Sequence, residues 1–367
     1  MKKILFYLVI GISFISQSCI NDNDDPVPFT ASEGTVVDAD VKGPTQPDQV
    51  WIDLSDVDQT GQPKQTLTKR TDWDLAFYSG NEFKVVLNSS IMMAAGKISN
   101  VTDINAVTSA NVASLQSLVQ VANFNPNNTI YVDDVNGNYP SGYTAIGEVK
   151  ANDSENAIYL LNMGKDIFTG NVAVGSVATG GDSRGWMKVQ VIRQGDAYKV
   201  KYGELNATGT NIKEVVINKN TAYNYTFLSL KSGNKVSIQP EKNKWDICFT
   251  VFTNTIEGAG SYIYADFVTT NNLGSVSAYE VKTSTGSAVD AFNKFKSVDV
   301  DQSKFTHNDQ RVIGSNWREV GPSGYQVKGD VFYVIKDSAG DYYKLKFTRL
   351  TNNEGVRGYP KFQYSRL

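Results

Sequence analysis

Trp73-Asp74-Leu75-Ala76-Phe77 returns later in the chain as Trp245-Asp246-Ile247-Cys248-Phe249. A second stretch behaves the same way: Gly195-Asp196-Ala197-Tyr198-Lys199-Val200-Lys201-Tyr202 returns as Gly340-Asp341-Tyr342-Tyr343-Lys344-Leu345-Lys346-Phe347. Internal repeats have to be found before a fold is assigned, because a missed repeat misassigns the whole architecture. The interval here is domain-sized, too long for a solenoid. The chain therefore reads as two copies of one unit, covering residues 49–221 and 222–367.

Working outward from the Trp73 strand, Trp51-Ile52-Asp53-Leu54 precedes it and Phe83-Lys84-Val85-Val86-Leu87-Asn88 follows as its hairpin partner. Around Trp245 the order repeats, with Tyr225-Thr226-Phe227-Leu228 and Lys235-Val236-Ser237-Ile238 before it and Ile263-Tyr264-Ala265-Asp266-Phe267-Val268 after it. Alternating apolar and polar residues bounded by Gly, Asn and Asp are the mark of half-buried antiparallel strands. Gly195-Asp196 and Gly340-Asp341 read as hairpin turns, since both residue types tolerate the left-handed angles of two-residue loops. Nineteen Tyr, seventeen Phe and thirty Gly agree with strands joined by tight turns, so the fold class is all-β. Helix is a minor component, expected within residues 106–122 and, in the second unit, 288–295. The first unit is the longer, its extra residues falling between about 100 and 185.

The N-terminus speaks to location. Lys2 and Lys3 precede an apolar run over residues 4–15, and Ser16-Gln17-Ser18 leads into Cys19. That is the order of a charged region, an apolar region and a small-residue cleavage site. The run is short for a membrane span. The segment 1–18 resembles a bacterial lipoprotein signal, which implies acylation of Cys19 and a chain tethered to a membrane by its lipids. Ile20-Asn21-Asp22-Asn23-Asp24-Asp25 resembles the acidic export tag of Bacteroidota lipoproteins, which implies the outer membrane, facing the cell exterior. Residues 19–48 are expected to be an acidic, flexible tether.

Loss of Lys2 and Lys3 with the leader takes the formal charge from −3 to −5, which is not the basic footprint of a nucleic-acid binder. Cys248, the one cysteine besides Cys19, lies in an apolar strand and is expected to pack as a small hydrophobe, with no disulfide. A nucleophilic triad needs a proton-shuttling His, and His307 stands alone in a polar loop with no Gly-x-Ser-x-Gly elbow anywhere. One His and one buried Cys cannot build a zinc site. The Gly-rich stretch 175–185 lacks the lysine and following helix of a phosphate loop. The chain is not expected to be an enzyme.

The second unit resembles the HmuY-like lipoproteins, haem-binding proteins on the surface of Bacteroidota. The resemblance is carried by Phe227-Leu228-Ser229-Leu230-Lys231-Ser232-Gly233, Lys244-Trp245-Asp246, Asn316-Trp317-Arg318-Glu319, Gly321-Pro322, Val331-Phe332-Tyr333-Val334 and Phe362-Gln363-Tyr364. The first unit follows the same order more loosely, so the resemblance implies two tandem HmuY-like antiparallel β domains. It also implies haem as the cofactor or cargo, held between two axial side chains, and delivery to a TonB-dependent outer-membrane receptor. Iron in haem accepts imidazole or thioether ligands. In the second unit the family's ligand position falls in Glu319-Val320-Gly321-Pro322, with neither Met nor His. In the first, Met163-Gly164 stands where the family has ligand and Gly, which makes Met163 the candidate iron ligand, with Met92 or Met93 or Met187 as its partner. The rival reading is a non-haem interaction module that binds a glycan or a protein partner, because exposed rings such as Tyr131, Tyr139 and Tyr143 stack on sugars as readily as on porphyrin.

Overall fold

The computed structural model describes residues 34–283, 288–321 and 324–367. The leader, Cys19 and the first part of the tether lie outside the described residues. The described chain opens with β1 (Thr35–Asp38), β2 (Asp48–Val57) and β3 (Pro63–Lys69). It continues through β4 (Leu75–Tyr78), β5 (Val85–Leu87), β6 (Ala94–Lys97), α1 (Ser109–Leu118), β7 (Ile158–Asn162), β8 (Trp186–Gln194), β9 (Ala197–Glu204) and β10 (Lys213–Ile217). The second half runs β11 (Tyr225–Leu228), β12 (Lys235–Val236), β13 (Ile247–Ile256), β14 (Gly260–Thr270), β15 (Ser277–Lys282) and α2 (Ala288–Lys294). It ends with β16 (Arg318–Gly321), β17 (Gly324–Val327), β18 (Val331–Lys336), β19 (Tyr342–Thr351) and β20 (Arg357–Arg366). The architecture is antiparallel β with minor helix, and α1 and α2 fall inside the two stretches expected to be helical.

Two five-stranded sheets run β10-β9-β8-β7-β6 and β1-β20-β19-β18-β15, two four-stranded sheets run β12-β11-β4-β5 and β14-β13-β2-β3, and β16 pairs with β17. The four-stranded sheets each draw strands from both sides of the boundary expected at 221/222. Along the sequence, hairpin β2–β3 leads into β4 and hairpin β11–β12 leads into β13. In space the partners are crossed: β2 lies on β13, with Ile52 opposite Ile247, and β11 lies on β4, with Leu228 opposite Leu75. One body therefore holds β4 to β12, and the other joins β1 to β3 with β13 to β20. The bounds 49–221 and 222–367 describe the repeat along the chain, whereas the sheets are built from an exchange across it. The tether is also shorter than expected. Residues 35–38 form the edge strand on β20, and Val37, Ala39 and Val41 are buried in the core beneath it.

The repeat survives the exchange bond by bond. Asp74 donates its N–H to Leu228 O (2.9 Å) and accepts from Leu230 N (2.7 Å); Asp246 donates to Ile52 O (2.8 Å) and accepts from Leu54 N (2.8 Å). Asn88 donates to Arg70 O and Trp73 O, and Asn271 likewise to Lys242 O and Trp245 O. In the larger sheets, buried Lys188 of β8 donates to Val107 O just before α1, and buried Lys344 of β19 donates to Phe292 O and Phe295 O at α2. Strand β8 thus answers to β19 and β7 to β18. The turn at Gly195 joins β8 to β9, while that at Gly340 joins β18 to β19, so these two motifs sit on neighbouring hairpins and are not equivalent. Their likeness reflects the shared alternation of a meander strand, apolar residues on one face and Lys on the other, with Lys199 and Lys201 half-buried and Lys344 and Lys346 buried.

Alternation along the strands assigns each side chain to a layer, since successive residues point to opposite faces. Leu75 and Phe77 of β4, Val85 and Leu87 of β5, and Leu228 of β11 enter the core of the first body. Val50 and Ile52 of β2 and Ile247 and Phe249 of β13 enter the core of the second. The residues between them, Trp51, Ala76, Val86, Phe227 and Cys248, point the other way into one cluster shared by both bodies. The four-stranded sheets are apolar on both faces because both faces are covered.

Candidate functional site

The shared cluster is where the two units meet, and it holds a cavity. Trp73 and Trp245, the landmarks of the repeat, each meet a ring from the exchanged hairpin edge to face. Trp73 lies on Phe227 at 5.0 Å and Trp245 on Trp51 at 4.7 Å between ring centroids. Such T-shaped contacts set the rings firmly. The indole N–H of Trp73 donates to Gln49 Oε1 (2.8 Å) and that of Trp51 to Thr68 Oγ1 (2.9 Å). At Trp245 the symmetry fails: the position matching Gln49 is Tyr225, and the buried Nε1 of Trp245 has no hydrogen-bond partner. Gln239 Oε1 and Thr270 Oγ1, both buried, are also left without partners. All three residues line one cavity of about 80 Å³ between the sheets. Asn272, Leu273 and Gln310 line it too and are half-buried, marking its open side. No charged residue lines it.

Buried polar groups are nearly always satisfied by protein or ordered water, so three residues that line one cavity and carry unpaired atoms give it hydrogen-bonding capacity that water or a ligand can take up. Close by, the buried carboxyl of Asp133 accepts from Leu87 N and Ala145 N, and burial pushes its pKa up to about 7 against those two bonds. Burial, with Asp133 nearby, also raises the phenol of Tyr139, a further lining residue.

The candidate iron ligands lie elsewhere. Met163 follows β7, and its side chain is packed in the core of the first body together with Met93 and Met187; Met163 is 2% exposed and Met93 1%. Met92 is half-buried, with φ of +65° at the end of a 3-10 turn over Ser89–Ile91. The chain segments do come together: Lys165 N donates to Ile91 O (2.8 Å), and Gly164 (φ +73°) packs so closely on the Ile91 carbonyl that a Cβ there would collide with it. The cavity beside Met93 has a volume of about 10 Å³. Pockets for ligands of drug size occupy roughly 300–1,000 Å³. The packed methionine set does not fit a porphyrin, and the junction cavity offers neither a Met or His for iron nor a cation for propionates.

The correspondence that singled out Met163 also changes. Val320-Gly321 lies on β16 in the separate two-stranded ribbon, whereas β7 answers to β18. His307 is exposed in its loop, and Cys248 is buried, with burial raising its thiol well above the ordinary range. Among the described residues no group of three or more His, Cys, Asp or Glu is placed to hold a metal ion, and no helix is long and apolar enough to cross a membrane. The junction cavity is hidden in the sequence, because its residues come from at least seven separate stretches and its two central indoles stand out only as landmarks of the repeat.

Comparison with known proteins fits the repeat. The family model for the HmuY protein matches residues 45–225 and again 221–364, and the chain belongs to that family. A solved protein from Bacteroides vulgatus ATCC 8482, described as a candidate HmuY-like haem-binding protein, is 17% identical. That match covers 38% of this chain and 82% of the other, with a TM-score of 0.21. No curated protein matches.

Proposed function

We propose that this chain is a non-catalytic, cell-surface binding protein that captures a ligand for uptake across the outer membrane. Membership of the HmuY family over both repeats is the observation that carries the reading. The leader and Cys19 support a lipid anchor in the outer membrane facing the exterior, and a TonB-dependent receptor is the partner such a protein would serve. Haem is the cargo implied by the family resemblance. Titrating the mature chain with haemin and following the Soret band in both redox states tests it: a saturable shift supports haem, and unchanged spectra remove it.

A second reading, in which the cargo is not haem, is favoured by one specific observation. The cavity that carries unpaired buried polar atoms is uncharged and small, and the methionines are locked in a core. Site chemistry, more than fold, decides a ligand.

A further inference from the structure

We propose that the junction cavity binds one edge of a neutral sugar, either a free hexose or the terminal unit of a glycan. The inference deepens the non-haem reading and rests on it. The walls combine what sugar recognition uses. Rings of Trp51, Trp73, Trp245, Tyr225 and Phe227 offer apolar faces to C–H groups, and Gln239 and Thr270 offer polar atoms to hydroxyls.

The unpaired atoms form a complementary set. Trp245 Nε1 can only donate, Gln239 Oε1 can only accept, and the Thr270 hydroxyl does either. A sugar hydroxyl also donates and accepts, so adjacent hydroxyls match such a set where a purely apolar ligand leaves it unmade. Anions are disfavoured because no Lys, Arg or His lines the cavity, and cations because no Asp or Glu does. At about 80 Å³ the interior exceeds the roughly 10–15 Å³ that one water needs yet is well below a cavity of about 150 Å³ that takes benzene. It admits a hydroxymethyl group and its neighbouring hydroxyl, with the rest of the ring at the mouth beside Asn272 and Gln310.

The test uses the mature full-length chain. Glucose, galactose, mannose and N-acetylglucosamine, each also as its methyl glycoside and as a β-linked disaccharide, are titrated against tryptophan fluorescence and calorimetric heat, with glucuronic acid as the anionic control. The expected result is saturable binding of at least one neutral sugar and none of glucuronic acid. A preference for the disaccharide over the free sugar assigns the glycan source, and the reverse assigns the free hexose. Thr270→Val deletes one polar atom at nearly constant shape and is expected to weaken binding about tenfold, the order of one hydrogen bond, while Trp245→Phe deletes the indole N–H together with part of the ring and is expected to weaken it at least as much. Thermal unfolding of the unliganded variants reports whether they fold. Absence of saturable binding by every sugar overturns the proposal and leaves the cavity to water. Binding that neither folded variant weakens overturns the assignment to this cavity. Haemin titrated in parallel separates the two levels: a Soret response without sugar binding sinks the proposal and the non-haem reading while ligand capture stands, and silence in both sinks ligand capture as well.

Discussion

Asp246 accepts a hydrogen bond from the backbone N–H of Leu54 at 2.8 Å, across 192 residues of chain. The matching bond, Leu230 N to Asp74 at 2.7 Å, spans 156 residues in the opposite sense. Each carboxylate thus fastens a hairpin that belongs, by sequence, to the other repeat. The exchange fixes what can fold alone. Residues 70–241 contain all of β4 to β12 and are expected to fold as a unit, with the face of Trp73, Ala76, Val86 and Phe227 uncovered. Residues 222–367 lack β1, β2 and β3, leave β13 and β20 each with a bare edge, and are expected to aggregate or oligomerise. Size-exclusion chromatography and circular dichroism of the two fragments check this. A monomeric, cooperatively folded 222–367 would show that β11–β12 can turn back onto β13.

The two equivalent aspartates differ in their company. Asp74 is paired with Arg184 at 2.7 Å, both side chains being almost fully buried, whereas Asp246 makes no ion pair among the described residues. Removing one partner of a buried pair leaves an uncompensated charge, which costs about 3–5 kcal/mol. Arg184→Ala is expected to lose that much in urea unfolding, and Asp74→Asn combined with it to recover part of the loss.

Burial pushes the Asp246 carboxyl up to about 7 despite its bond from Leu54, with Asp53 and Asp337 adding to the rise. Asp133, a half-buried residue, is likewise pushed up to about 7 by desolvation of its carboxyl. The sign follows from linkage. The folded state binds protons that the unfolded chain, with ordinary Asp values near 3.8, has released, so the contribution of these two carboxyls is full below about pH 4 and is lost as pH rises through 7. Urea midpoints from pH 5 to 8 are expected to fall for the wild type. Asp246→Asn keeps an acceptor for Leu54 and is expected to flatten the slope; an unchanged slope would refute the assignment.

Met163 and Met93 fill the first core, so truncation to Ala is expected to cost about 2–5 kcal/mol each. Met163→Leu conserves volume and should stay within about 1.5 kcal/mol of the wild type. It is the cleaner probe of iron ligation, since it removes only the thioether. If haemin binds and its spectrum is the same in Met163→Leu, that sulfur does not touch the iron.

Gly164 has φ of +73° and leaves no space for a side chain against the Ile91 carbonyl. Gly164→Ala is expected to lose at least about 3 kcal/mol through strain and collision together, read as a drop in melting temperature or in soluble yield.

Much of the fold is legible in the residues. Trp73 and Trp245 announce the repeat because the same burial problem, a ring set against an edge-on partner, recurs in both units. Strand alternation and the two short helices follow from local periodicity. The exchange is not legible. β2 and β11 carry equivalent residues, so each is as well suited to β4 as to β13, and no local pattern chooses between them. The Gly195 and Gly340 turns mislead for a related reason, since neighbouring strands of one meander obey the same alternation. The junction cavity is hidden because its unpaired atoms are known only once Gln49 has been seen to reach Trp73 while Tyr225 leaves Trp245 unmet.

The pairing of Thr35 with Tyr364 sets where a tug on the N-terminus is felt. Whatever precedes residue 34 pulls first on an edge strand zipped to the last strand of the protein, so the load bypasses the body nearest in sequence. That inner body hangs between Lys69 and Trp245 like a bead threaded on its neighbour. A cell that moors this chain by its front end would therefore be holding it by its tail, and shear from the surroundings would strain β1 against β20 before it reached the space between the paired indoles.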